Sequence, residues 1–194
     1  AAPDFQVLGV VTQPDRPRGR NLKPQPSPVK ETALRLGLSV WQPEKCRHTD
    51  FIQQVQSLRP DVGVVVAYGQ ILPPPLLSLP HHGFVNVHAS LLPKYRGAAP
   101  IQWAILNDEP ETGVTIMQID AGLDTGPILA VSTTPILPQD SARTLHDRLA
   151  RTGADLLVRT VPEYAAGRLH PQAQPTEGAT YARKITKEDG RLDW

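Results

Sequence analysis

A single cysteine, Cys46, and a single methionine, Met117, occur in the 194 residues. One thiol allows neither an intrachain disulfide nor a cysteine-built zinc site, which fits a reducing compartment. Long apolar runs are missing too. The longest, around Val62 to Tyr68, is far too short to cross a bilayer, and no charged segment followed by an apolar signal region opens the chain. No membrane partner is therefore expected, and the expected location is cytoplasmic. There is no GxGxxG motif, no P-loop, no internal repeat and no low-complexity tract, so nothing points to a nucleotide cofactor or a repeat architecture. His81 and His82 have no third ligand near them in sequence, and Asp120 with Asp124 makes too thin a set for a hard cation, so no metal is expected. A net charge of +1 excludes no partner by itself.

Against these absences stands an ordinary globular composition, 40% hydrophobic and 20% charged, able to bury one core. The 21 prolines imply many stiff loops. Charge is uneven along the chain. Arg16, Arg18, Arg20, Lys23 and Lys30 cluster near the start against one Asp15, a segment able to meet phosphate, or simply a solubilising loop.

Phe5 to Thr12 reads as a strand, and the Pro- and Arg-rich run from Gln13 to Pro26 as a long exposed loop without regular structure. Ser27 offers an N-cap, Pro28 suits the first helical position and Gly37 a stop, giving a short helix before a strand at Val40 and Trp41. Phe51, Ile52, Val55 and Leu58 recur at helical spacing. Val62 to Ala67 is a β-branched run of buried-strand type. Strands at Phe84–His88, Val114–Asp120 and 128–134, a helix over 100–107 and a long helix or broken pair over 141–167 complete an alternation that favours a three-layer α/β, Rossmann-like fold with a largely parallel sheet. Such a sheet normally opens with a strand and helix ahead of the first element seen here. The first βα unit is therefore expected to be missing and the chain to be a fragment: a domain over 1–168, then a polar connector over 169–194.

In Phe84-Val85-Asn86-Val87-His88 alternate side chains share a face, so Asn86 and His88 converge near a strand end, where open α/β sheets bind ligands. The glycine-flanked loop Ala121-Gly122-Leu123-Asp124-Thr125-Gly126 can bring Asp124 to them. An amide, an imidazole and a carboxylate suit acyl transfer to an amine without a protein nucleophile: Asn86 donates to the oxyanion, His88 moves protons and Asp124 orients His88. The competing reading is structural, with Asn86 and His88 satisfied at a strand end and Asp124 a turn former.

At these residues the sequence resembles the methionyl-tRNA formyltransferase family. The resemblance rests on Asn86-Val87-His88-Ala89-Ser90-Leu91-Leu92-Pro93, Arg96-Gly97-Ala98-Ala99-Pro100-Ile101, Thr112-Gly113-Val114-Thr115-Ile116-Met117 and Gly122-Leu123-Asp124-Thr125-Gly126. It extends to Thr12-Gln13-Pro14-Asp15-Arg16-Pro17, Val66-Ala67-Tyr68-Gly69 and the closing Lys187-Glu188-Asp189-Gly190-Arg191-Leu192-Asp193-Trp194. It implies that Asn86, His88 and Asp124 are a catalytic trio, that 10-formyltetrahydrofolate is the formyl donor and that initiator methionyl-tRNA is the acceptor. Ser90, Leu91, Leu92 and Pro93 would line the folate site, with Ile71 and Leu72 as an apolar wall for the pterin. Arg20, with Arg18 and Arg16, would contact tRNA, and residues 169–194 would lead toward a C-terminal tRNA-binding domain. A monomer is expected. Other formyltransferases or hydrolases using the same donor share the trio but not the Arg-rich loop, and an inactive RNA-binding fragment is the reading from a different class.

Overall fold

The computed structural model describes residues 5–18 and 23–191. They divide into two compact units, one drawn from Ala1–Gly63 and Ala67–Gly83, the other from Val64–Val66 and Phe84–Trp194.

In the first unit, β1 (Val10–Val11) is followed by β2 (Arg16–Arg18) and β3 (Lys23–Gln25), which pair antiparallel. The expectation of a loop without regular structure over Gln13 to Pro26 is corrected where the segment is described: residues 19–22 lie outside the described residues, and Arg16–Arg18 and Lys23–Gln25 are the paired strands of a hairpin. Its two prolines explain how. Pro17 stands opposite Pro24, and neither has an N–H. Antiparallel pairs alternate between those that exchange hydrogen bonds and those that do not, so two prolines facing each other at a non-bonded pair cost the ladder nothing. Asp15 anchors the base of the hairpin by accepting from Lys30 Nζ at 2.6 Å and from Gln42 Nε2 at 2.8 Å. Those two hydrogen bonds hold its carboxyl below the usual carboxylate range.

Helix α1 (Pro28–Arg35) starts as the sequence indicates, with the Ser27 hydroxyl accepting from the Lys30 N–H. Strand β4 (Val40–Trp41) pairs parallel with β1. Helix α2 (Thr49–Leu58) turns Phe51 and Val55 inward, four residues apart on one face. The short α3 (Pro74–Leu77) lies in a proline run that gave no periodic signal.

The second unit contains β5 (Gly63–Val65), β6 (Phe84–His88), β7 (Arg96–Gly97), α4 (Pro100–Leu106), β8 (Glu111–Gln118), β9 (Ile128–Pro135), α5 (Ala142–Ala165) and β10 (Tyr181–Ala182). The class is α/β, with a four-stranded sheet in the order β5-β6-β8-β9 and a parallel pair of β7 with β10. Strand β8 runs antiparallel to both β6 and β9. Only a short loop joins β8 to β9, too short for the crossover that parallel neighbours require. The run at Val62 to Ala67 is less buried than its composition suggests, because β5 stands at the end of the sheet order and leaves Val64 and Val66 exposed.

Strand β8 is the centre of the core, with Val114, Thr115, Ile116 and Met117 all buried. Helix α5 packs across β8 and β9, burying Leu145 and Leu149, each contributing about 1.5–3 kcal/mol. Close approach is possible because Gly153 faces the sheet; a Cβ there would come within 2.9 Å of Val87 Cγ1. Val87 thus faces the helix, which leaves Asn86 and His88 on the other face of β6.

The polar segment after α5 is joined to this unit. Gln172 and Ile128 exchange backbone hydrogen bonds of 2.7 and 2.8 Å, and β10 buries Ala182 completely. Polar composition suggested a connector, but backbone pairing, which composition does not report, attaches it.

Candidate active site

Strand β6 delivers Asn86 and His88, and the turn after β8 delivers Asp124. The Asp124 carboxylate is the meeting point: Oδ1 accepts from Asn86 Nδ2 at 3.4 Å, and Oδ2 lies 3.6 Å from His88 Nδ1. A third contact was not legible in the sequence. The Gly97 N–H donates to Asp124 Oδ2 at 2.8 Å, the shortest of the three, so β7 fixes the carboxylate from behind.

His88 is 5% exposed, and its Nε2 lies 2.8 Å from the Tyr95 carbonyl oxygen. A carbonyl has no proton to give, so Nε2 carries the hydrogen and donates. Nδ1 is therefore the ring nitrogen left to gain or lose a proton, and it faces Asp124. Asn86 has two amide hydrogens, of which Asp124 engages one.

The loop bearing Asp124 is built by close backbone contact. Asp124 has φ 52°, a left-handed conformation that Asp tolerates better than most side chains. A Cβ on Gly126 would fall 1.9 Å from the Gln118 carbonyl oxygen, so no larger residue fits where the turn closes. Asp120 accepts from the Gly122 N–H and from Thr125 Oγ1, at 3.0 and 2.8 Å, and shapes the same turn.

The segment expected to line a folate site divides. Ser90 is fully buried and donates from Oγ to the Lys94 carbonyl at 2.6 Å, and Leu92 is 7% exposed, so both side chains point into the protein. Leu91 and Pro93 are half-buried and have apolar surface left to offer. They border a hollow of about 410 Å³, lined also by Lys94, which pairs with Glu109, and by Glu111 and Glu177. In the other unit Ile71 is 95% exposed and Leu72 half-buried. Arg16 is exposed on the basic hairpin; the side chain of Arg18 and all of Arg20 lie outside the described residues. Among the described residues no group of three or more His, Cys, Asp or Glu is arranged to hold a metal, and no helix is long and apolar enough to cross a membrane.

Two residues near Asp124 escaped sequence reasoning. Arg96 is 9% exposed, and its guanidinium donates to Gln174 Oε1. Arg96 opens the Arg96-Gly97-Ala98-Ala99-Pro100-Ile101 motif, but a buried arginine has no periodic signature. Gln174 sits in a segment with no pattern at all.

Comparison with known proteins bears on this arrangement. A methionyl-tRNA formyltransferase of Trichlorobacter lovleyi is 54% identical over 188 residues, covering 97% of this chain and 60% of the relative. The methionyl-tRNA formyltransferase of Caldanaerobacter subterraneus is 54% identical over 191 residues, covering 98% of this chain and 62% of its own. The chain thus spans about three fifths of the length of these curated relatives. Among solved structures, the formyltransferase PseJ of Anoxybacillus kamchatkensis, in complex with UDP-4,6-dideoxy-4-formamido-L-AltNAc and tetrahydrofolate, superposes with a TM-score of 0.66 at 25% identity, covering 93% of this chain and 87% of that one. The Formyl transferase family matches residues 2–161, which include Asn86, His88, the Asp124 loop and the sheet that positions them, and the chain belongs to that family.

Proposed function

We propose that this chain carries the catalytic part of an enzyme that moves a formyl group from 10-formyltetrahydrofolate to the amino group of methionine on initiator methionyl-tRNA, for translation initiation. The observation that carries the chemistry is the convergence of Asn86 and His88 on the Asp124 carboxylate. The choice of acceptor is supported by relatives named methionyl-tRNA formyltransferase at 54% identity across nearly all of this chain.

The donor, when bound, supplies an activated formyl group; the residues of the chain supply orientation and proton handling. Attack of the acceptor amine on the formyl carbon places negative charge on oxygen. The Asn86 amide hydrogen not engaged by Asp124 is the donor to that oxygen. His88, held through Nε2 by the Tyr95 carbonyl, takes the amine's proton on Nδ1 and returns it to the departing nitrogen, so it ends the cycle unchanged. While the proton is on Nδ1, the Asp124 carboxylate beside it stabilises the imidazolium. Neither a covalent enzyme intermediate nor a protein nucleophile is needed.

Ser90, Leu91, Leu92 and Pro93 are the donor-binding segment of this reading, with the half-buried Leu91 and Pro93 offering apolar surface. In this reading Arg16, Arg18 and Arg20 of the basic segment contact tRNA phosphate, arginine being suited to paired contacts with phosphate oxygens.

The test is formyl transfer by the intact protein and by its Asn86→Ala, His88→Ala and Asp124→Ala variants. A positioned acid–base group contributes about 10²–10⁴-fold, so His88→Ala should lower kcat by that amount while leaving the fold intact by circular dichroism. Turnover within about threefold of the parent would remove His88 from the mechanism.

A further inference from the structure

We infer that Gln174 is a positioning residue for this chemistry: it fixes the backbone of the Asp124 loop and so the carboxylate that meets Asn86 and His88. The inference rests on the reading of Asp124 as catalytic. Gln174 lies beyond the residues matched to the family, in a stretch whose composition marks it as a connector.

Its side chain is fully engaged. Nε2 donates to the Asp124 carbonyl and to the Gly126 carbonyl, both at 2.8 Å, so the two hydrogens of one amide hold two carbonyls of one turn. Oε1 accepts from Nε and Nη2 of the buried Arg96 at 3.1 and 2.7 Å. Arg96 is followed by Gly97, whose N–H holds the Asp124 carboxylate. A closed circuit results. The main chain of Asp124 is tied through Gln174 to Arg96, and its side chain is tied directly to the next residue.

Such double attachment suits what Asp124 has to do. Its left-handed φ of 52° is tolerated by Asp but still less favoured than ordinary backbone, so ties to the neighbouring carbonyls help to hold it. A small rotation of that turn would carry Oδ2 away from His88 Nδ1, and misplacement of a catalytic group by about 1 Å can cost on the order of 100-fold in rate.

Gln174→Glu separates this role from a simpler one. A carboxylate still accepts from Arg96 and fills the same space, but it has no hydrogen for the Asp124 and Gly126 carbonyls. If Gln174 served only to satisfy buried Arg96, glutamate would replace it without loss. The experiment measures kcat and KM in the intact protein for Gln174→Ala, Gln174→Glu, Asp124→Ala and the Gln174→Ala/Asp124→Ala double variant. Both single changes at Gln174 should lower kcat about 10- to 100-fold with KM for the acceptor within about threefold. In the Asp124→Ala background, Gln174→Ala should cost nothing more, because the residue through which it acts is gone. Parental kcat in Gln174→Glu, or losses that multiply in the double variant, would overturn the inference while leaving Asp124 catalytic. Parental kcat in Asp124→Ala would instead overturn the catalytic reading, and this inference with it. Should Gln174→Ala fail to fold, Gln174→Glu alone still decides, since it keeps the partner of Arg96.

Discussion

Replacing Thr115 by valine removes one hydroxyl from the centre of β8 and almost no volume. Thr115 is fully buried, and its Oγ1 donates to the Ser90 carbonyl at 2.7 Å while accepting from the Leu92 N–H at 3.2 Å. One atom therefore ties down the segment that follows His88. Valine would leave a buried carbonyl and a buried N–H without that partner. An unsatisfied buried group costs about 1–3 kcal/mol, so the expected loss is about 2–4 kcal/mol, allowing for partial relaxation. Thr115→Ser keeps the hydroxyl and deletes a methyl, with a loss of about 1 kcal/mol. Urea unfolding at neutral pH measures both, and the order is the decisive feature: valine should be the more damaging change. If burial of apolar volume governed this position, serine would be worse. A valine variant within about 0.5 kcal/mol of the parent would refute the reasoning that Oγ1 organises residues 90–92.

Gly126→Ala should destabilise the protein by about 1–3 kcal/mol and lower turnover, since the new methyl meets the Gln118 carbonyl and must push the Asp124 turn outward; thermal melting and a rate assay check the two effects. Tyr68 should give the protein an alkaline instability. Burial, and secondarily the negative charge of the nearby Cys46 once its thiol ionises, pushes its hydroxyl up to about 12, whereas the unfolded chain ionises near the ordinary value of about 10. Stability is then full below pH ~10 and falls as pH rises from there through the folded value, a fall that Tyr68→Phe should reduce in urea midpoints measured across that range. Arg16→Ala should weaken tRNA binding and make the slope of log K against log salt shallower by about 0.7–0.9 for each phosphate no longer engaged; an unchanged slope would remove Arg16 from the interface.

Much of the site was legible in the sequence because it is encoded by short-range rules. Alternation along Phe84–His88 placed Asn86 and His88 on one face, and the glycines around Asp124 marked a turn that brings a carboxylate. Helix α1 was legible for the same kind of reason, since Ser27, Pro28 and Gly37 act within a few residues of where they stand. What escaped depends on distant pairing. The Gly97 amide and the Tyr95 carbonyl are backbone groups with no side-chain signature, yet they hold Asp124 and His88. Gln174 reaches Asp124 across 50 positions of sequence. The pairing of Arg16–Arg18 with Lys23–Gln25 was not legible because proline counts against strands only where its missing N–H is needed, and in the Pro17–Pro24 pair it is not. The inward turn of the Ser90 and Leu92 side chains was not legible either, because it depends on Thr115, which bonds the Ser90 carbonyl and the Leu92 N–H from strand β8.

The most direct test of the central claim compares acceptors for the formyl group. The intact protein is incubated with 10-formyltetrahydrofolate and, separately, with charged initiator methionyl-tRNA, glycinamide ribonucleotide, an amino-sugar nucleotide, or water alone, and product is measured in each case. Efficient formylation of methionyl-tRNA is expected, weakened by Arg16→Ala and lost in His88→Ala. Efficient transfer to one of the small acceptors or to water, with methionyl-tRNA left unmodified, would contradict it.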